Sequence, residues 1–117
     1  TGELTKADLE KVTFLYLGNT KINDAGLKEL AKLQKLETLS LAVTQITDTG
    51  LKDVAKLKQL KVLVLNYTQI TDAGLKEVAK LKQLSELHMR GTQATKTGVA
   101  ELQKTLPKCE IRHNPKN

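Results

Sequence analysis

The chain has 117 residues, 39% of them apolar and 27% charged, with one cysteine and no tryptophan. That composition suits a single folded unit with its own core, and it excludes a disordered chain, an internal disulfide framework and a cysteine-cluster metal site. A net charge of +6 permits acidic partners, but the placement of the charges has to decide.

In chain order, residues 1–11 read as an N-terminal cap, a partial helix over Glu3–Glu10 with Leu4 and Leu9 as its apolar residues. Residues 12–105 then repeat with a period of 24 and no gap. One apolar column is Leu15, Leu39, Leu63, Leu87, Ile111, and a second is Leu17, Leu41, Leu65, Met89. A third is Ile22, Ile46, Ile70, weakened at its end to Ala94. Threonines recur at 20, 44, 68 and 92, and glycines at 26, 50, 74 and 98. So many columns in phase mark a repeat architecture. Within a unit, Gly50–Leu60 carries Leu51, Val54, Ala55 and Leu57 at helical spacing. Thr47 or Asp48 is placed to cap that helix, with Lys56 and Lys58 near its end. Leu60–Leu65 alternates, with Leu63 and Leu65 on one face and Val62 and Val64 on the other, so a short strand is predicted there. Residues 106–113 supply a last strand whose exposed edge is blunted by Lys108, Glu110, Arg112 and the preceding Pro107. The tail, residues 114–117, is read as disordered.

The string LxxLxLxxTxITDxGL resembles the leucine-rich repeat, and most closely its bacterial type with 24-residue units. The resemblance runs from about Leu9 to His113. It implies an α/β fold: a right-handed solenoid with a parallel sheet on the concave side and helices on the convex side. Stacking fits the physics, because a lone strand-helix unit cannot bury its apolar face. The threonine column stands where this family often has asparagine. It is therefore expected to form a ladder of hydroxyls that satisfies loop backbone groups of adjacent coils.

Chemistry is weakly represented. His88 and His113 fall on adjacent strands but opposite faces. Cys109 and His113 lie about 13 Å apart on an extended strand, too far to share a zinc ion. Cys109 is read as a packing residue. Glu86 and Glu110 are one repeat apart, about 4.8 Å across neighbouring strands, a spacing compatible with paired-carboxylate chemistry. They would lie on an open surface, neutralised by Arg90 and Arg112. The reading is therefore non-enzymatic, with no cofactor and no metal. Asn66-Tyr67-Thr68 matches a glycosylation sequon, but its threonine is already explained by the repeat.

The outward strand positions carry the functional signal. Row by row they are Phe14, Thr38, Val62, Glu86, Glu110; then Tyr16, Ser40, Val64, His88, Arg112; then Gly18, Ala42, Asn66, Arg90, Asn114. Asn19, Val43, Tyr67 and Gly91 flank them at the strand exits. All three aromatics of the chain fall on this side. The predicted site is Phe14, Tyr16, Val62, Val64, Tyr67, Glu86, His88, Arg90 and Arg112, and the predicted ligand is a protein partner. A homodimer through the apolar patch, a positioning segment of a larger protein, and glycan or peptidoglycan contact are the alternatives. Lysines at 28, 32, 35, 52, 56, 76 and 80 fall on the helix side, opposite the aromatics, so no nucleic-acid groove is predicted. No apolar run approaches the ~20 residues of a membrane helix. No leader-like segment opens the sequence, which fits a cytoplasmic chain, a mature chain or an excised domain and leaves the compartment open.

Overall fold

The computed structural model describes residues 11–114. The partial helix expected over Glu3–Glu10, and the tail after Asn114, lie outside the described residues. Strands and helices alternate: β1 (Phe14–Tyr16), α1 (Asp24–Leu30), β2 (Thr38–Ser40), α2 (Asp48–Val54), β3 (Val62–Val64), α3 (Asp72–Val78), β4 (Glu86–His88), α4 (Lys96–Thr105) and β5 (Glu110–Arg112). The strands form one parallel sheet in chain order. Its register advances by the sequence period, so Phe14 sits beside Thr38, Thr38 beside Val62, Val62 beside Glu86 and Glu86 beside Glu110.

The middle residue of each strand points into the coil. Leu39, Leu63 and Leu87 are fully buried there, joined by Leu41, Leu65 and Met89 just beyond the strands. Leu27, Leu51 and Leu75 pack down from the helices, and Ile46 and Ile70 close the loops between. The result is one continuous core. Leu15, Leu17 and Ile22 at one end and Ile111 at the other are half-buried.

Each internal helix is shorter than the sequence suggests. Helix α2 stops at Val54 rather than running to Leu60. Leu57 donates to the Val54 carbonyl and Leu60 to the Leu57 carbonyl, tighter three-residue turns that swing both leucines into the core. Apolar spacing of three residues reads as helix whether or not the helix continues. The basic residue in the last turn is therefore Lys52, while Lys56 lies past the end and pairs with Asp53. Thr47 is the N-cap, accepting from the Thr49 N–H, and Asp48 starts the first turn.

The expected threonine ladder is also corrected. The hydroxyls of Thr20, Thr44, Thr68 and Thr92 donate to the carbonyls of Leu17, Leu41, Leu65 and Met89, each within its own coil. Each hydroxyl turns back onto the carbonyl three residues before it, so its one proton is used within its own coil. Aspartates make the crossing to the next coil instead. The carboxylates of Asp24, Asp48 and Asp72 each accept the backbone N–H and the hydroxyl of the threonine that caps the next helix, Thr47, Thr71 and Thr95. The three N–H···O distances are all 2.8 Å. The glycine column belongs to the same arrangement. A Cβ on Gly74 would run into the Asp48 carboxylate and Leu51, so only glycine lets α3 approach this closely. Asn114, expected in a disordered tail, is tied down: its Oδ1 accepts the Gly91 N–H at 2.8 Å.

Candidate protein-binding face

All nine predicted site residues lie on the outward side of the sheet or at the loops that leave it. Phe14 and Tyr16 flank the inward Leu15 on β1, with ring centroids 5.7 Å apart. Val62 and Val64 flank Leu63 on β3 and are half-buried. Between these two walls, β2 offers only Thr38 and Ser40, with Ala42 just beyond. Thr38 matches valine in size, so the face dips only at Ser40 and Ala42, a shallow trough between Tyr16 on β1 and Val64 on β3.

The strand exits hold a feature that strand alternation alone does not reveal. Asn19, Val43, Tyr67 and Gly91 occupy the same position in successive coils, and all four have positive φ, between 56° and 77°. Asparagine and glycine suit that left-handed conformation; tyrosine and especially valine do not. Val43 and Tyr67 are nonetheless 48% and 58% exposed, beside Phe14 at 61% and Tyr16 at 67%. The Tyr67 ring lies against Gly91, where a Cβ would collide with it. Gly91 is thus needed twice, for its φ and as the floor beneath the ring. Asn19 and Gly91 in a column that also contains Val43 and Tyr67 were the available sequence signal for this geometry.

The other half of the face is polar. Arg112 Nη2 lies 2.7 Å from Glu110 and 3.8 Å from Glu86, and His88 Nε2 lies 3.4 Å from Glu86. Arg112 thus bridges the carboxylate pair, and His88 contacts Glu86. Arg90, expected to share in this, is exposed and makes no ion pair among the described residues. Beneath the pair, Cys109 is buried, and its thiol is pushed up to about 11 by that burial and by the charges of Glu86 and Glu110. A thiol so raised is a poor nucleophile near neutral pH. Nε2 of His113 is 3.0 Å from the Ala94 carbonyl, away from His88, as its opposite face requires. Asn66 Oδ1 accepts the Arg90 N–H at 2.7 Å, which gives the sequon asparagine a structural task.

On the helix side the lysines are mixed with acids. Lys32 pairs with Glu29, Lys56 with Asp53 and Lys80 with Glu77, at 3.0–3.2 Å. A groove of about 400 Å³ between α3 and α4 is lined by Leu75, Ala79 and Leu102. No cluster of metal-ligating side chains occurs among the described residues, and no helix there is long and apolar enough to cross a membrane.

Comparison with known proteins agrees with this architecture. The leucine-rich repeat family matches residues 9–31, 32–55 and 57–79. No curated protein matches the chain in sequence. Among solved structures, a leucine-rich repeat protein of Leptospira interrogans is 30% identical, with a TM-score of 0.73, over 90% of this chain and 26% of that one. Internalin C2 of Listeria monocytogenes is 26% identical, with a TM-score of 0.76, over 92% of this chain and 44% of that one. A chain of the octameric complex of latrophilin 3, Unc5D and FLRT2, in which FLRT2 contributes the leucine-rich repeat, is 26% identical, with a TM-score of 0.62, over 90% and 33%. The chain thus spans less than half the length of each of these structures. Three consecutive matched repeats, a parallel sheet in chain order and one helix between each strand and the next come to the same conclusion: the chain belongs to the leucine-rich repeat family.

Proposed function

We propose that this chain is a non-enzymatic protein-interaction module that holds a protein partner on its concave sheet face. The observation that carries the reading is the pair Val43 and Tyr67. The plain alternative for an apolar sheet face is that β-branched and aromatic residues suit strands. That accounts for Val62 and Val64 but not for Val43 and Tyr67, which lie outside the strands. Both adopt a backbone conformation that costs an ordinary residue about 1–2 kcal/mol, while half their surface stays in water. Folding gains little from such residues, and a contact surface gains a great deal. Aromatic anchors with a neighbouring arginine are the composition of interface hot spots. The short share of each related structure that this chain spans favours a second reading, a segment that positions other parts of a longer protein.

The test is capture of proteins from an extract of the native host. Tyr16→Ala with Val64→Asp is expected to abolish capture while leaving the circular dichroism spectrum intact. Lys52→Glu with Lys76→Glu on the helix side is expected to leave capture unchanged. Capture lost through the lysine pair and kept by the sheet pair would move the site to the convex side. Light scattering behind a size-exclusion column separates self-association: a monomer is expected, because a net charge of +6 sets two copies against each other. A dimer that Tyr16→Ala/Val64→Asp dissolves would show that the patch serves a second copy.

A further inference from the structure

We infer that the segment held on this face is acidic, with a bulky apolar side chain seated in the trough over Ser40 and Ala42 and a carboxylate side chain at Arg90. This rests on the concave-face reading and adds the chemistry of the occupant. The first observation is the distribution of charge on the face. Glu86 and Glu110 share Arg112, which lies 3.8 Å from the one and 2.7 Å from the other, so both carboxylates already have a cationic partner. Arg90 is exposed and pairs with no carboxylate among the described residues. It is thus the charge that the face holds out to a partner.

The second observation is the row in which Arg90 stands. Asn66 and Asn114 are its neighbours in register, one coil to either side. The Arg90 N–H donates to Asn66, and the Gly91 N–H donates to Asn114. Because a backbone N–H needs an acceptor, each asparagine must turn its oxygen inward, and the NH2 group remains. Neither NH2 is hydrogen-bonded among the described residues. Three donor side chains therefore stand in one row, about 4.8 Å from one to the next, with no acceptor side chain between them. A row of donors suits carboxylates and backbone carbonyls and rejects a basic segment.

The third observation is adjacency. Tyr67 follows Asn66 directly, and its backbone N–H donates to the Arg90 carbonyl at 2.8 Å. The fixed Tyr67 ring, the small-residue trough and the donor row are thus contiguous. An apolar anchor and a carboxylate a few residues away on one segment would reach both. A second copy of this chain fits less well, since its convex side would set Lys28, Lys52 and Lys76 against Arg90, a like-charge contact. The overall charge of +6 attracts an acidic segment at long range and repels another copy.

The test is selection of random dodecapeptides displayed on phage against the whole chain, with synthetic copies of the enriched peptides measured by calorimetry. Enriched peptides are expected to pair an aromatic or large aliphatic residue with Asp or Glu within a few positions. Arg90→Glu is expected to weaken them at least about tenfold, Arg90→Gln by less, and added salt to weaken the wild-type complex. Reselection on Arg90→Glu is expected to favour Lys and Arg. Peptides that need Tyr16 and Val64 but show no acidic bias, or bind Arg90→Glu equally well, would overturn this inference and leave the concave face standing. Peptides indifferent to Tyr16→Ala/Val64→Asp, or no enrichment over an uncoated surface, would overturn it together with the reading it rests on.

Discussion

Replacing Leu63 by alanine is expected to lower the stability of the fold by about 2–5 kcal/mol, whatever the chain binds. Leu63 lies at the centre of β3 with no exposed surface, and its neighbours in register, Leu39 and Leu87, are equally enclosed. A cavity there is walled by a coil on each side, and neither can collapse into it without breaking strand register. In a solenoid each unit is stabilised by its packing on the units before and after it, so a central void weakens two interfaces at once. The same truncation at Leu15, half-buried in the first described coil, removes less packing and is expected to cost less. Urea titrations of the two variants, followed by circular dichroism, give the comparison. Equal losses would show that the coils do not share one continuous core.

Asp48→Ala is expected to cost about 2–3 kcal/mol, a large effect for a residue that is only partly buried. Its carboxylate accepts both the N–H and the hydroxyl of Thr71, and Thr71 in turn caps α3 by accepting from Ala73. Charged acceptors make the stronger hydrogen bonds, and their loss leaves a partly buried N–H without a partner. The helix start also loses the side chain against which Gly74 packs. Asp48→Asn keeps an oxygen for the Thr71 N–H, and an intermediate loss is expected. A midpoint in urea unchanged by Asp48→Ala would mean that the aspartate column is a surface decoration rather than a tie between coils.

The architecture was readable because one period governs every level of it. Leucines at 15, 39, 63 and 87 could only stack if their strands ran parallel in chain order, and they do. Which residues share the outward face followed from the alternation around each leucine. The misreadings share a physical cause. Leu57 and Leu60 keep helical spacing while the backbone tightens into three-residue turns, because apolar periodicity reports burial and not the hydrogen-bond ladder. The threonine and aspartate columns were both visible, but which of them crosses between coils depends on where each side chain points in the folded loop. Within the site, the positions of Phe14, Tyr16, Val62 and Val64 were legible from strand alternation. The backbone at Val43 and Tyr67 was signalled only through Asn19 and Gly91 in the same column, because neither valine nor tyrosine itself announces a positive φ. Nor could sequence show that His88, rather than Arg90, joins Arg112 at the carboxylate pair.

In the proposed function, Val43 and Tyr67 serve binding rather than folding. The most direct test is the urea midpoint of Val43→Asn with Tyr67→Asn, since asparagine already occupies the same position at Asn19 and tolerates its backbone. The expected result is a stability equal to that of the wild type or higher by up to about 1 kcal/mol per site, as relief of backbone strain offsets the missing packing of the ring on Gly91. A drop of more than about 1 kcal/mol would contradict this role, because it would place both side chains among the groups that hold the solenoid together.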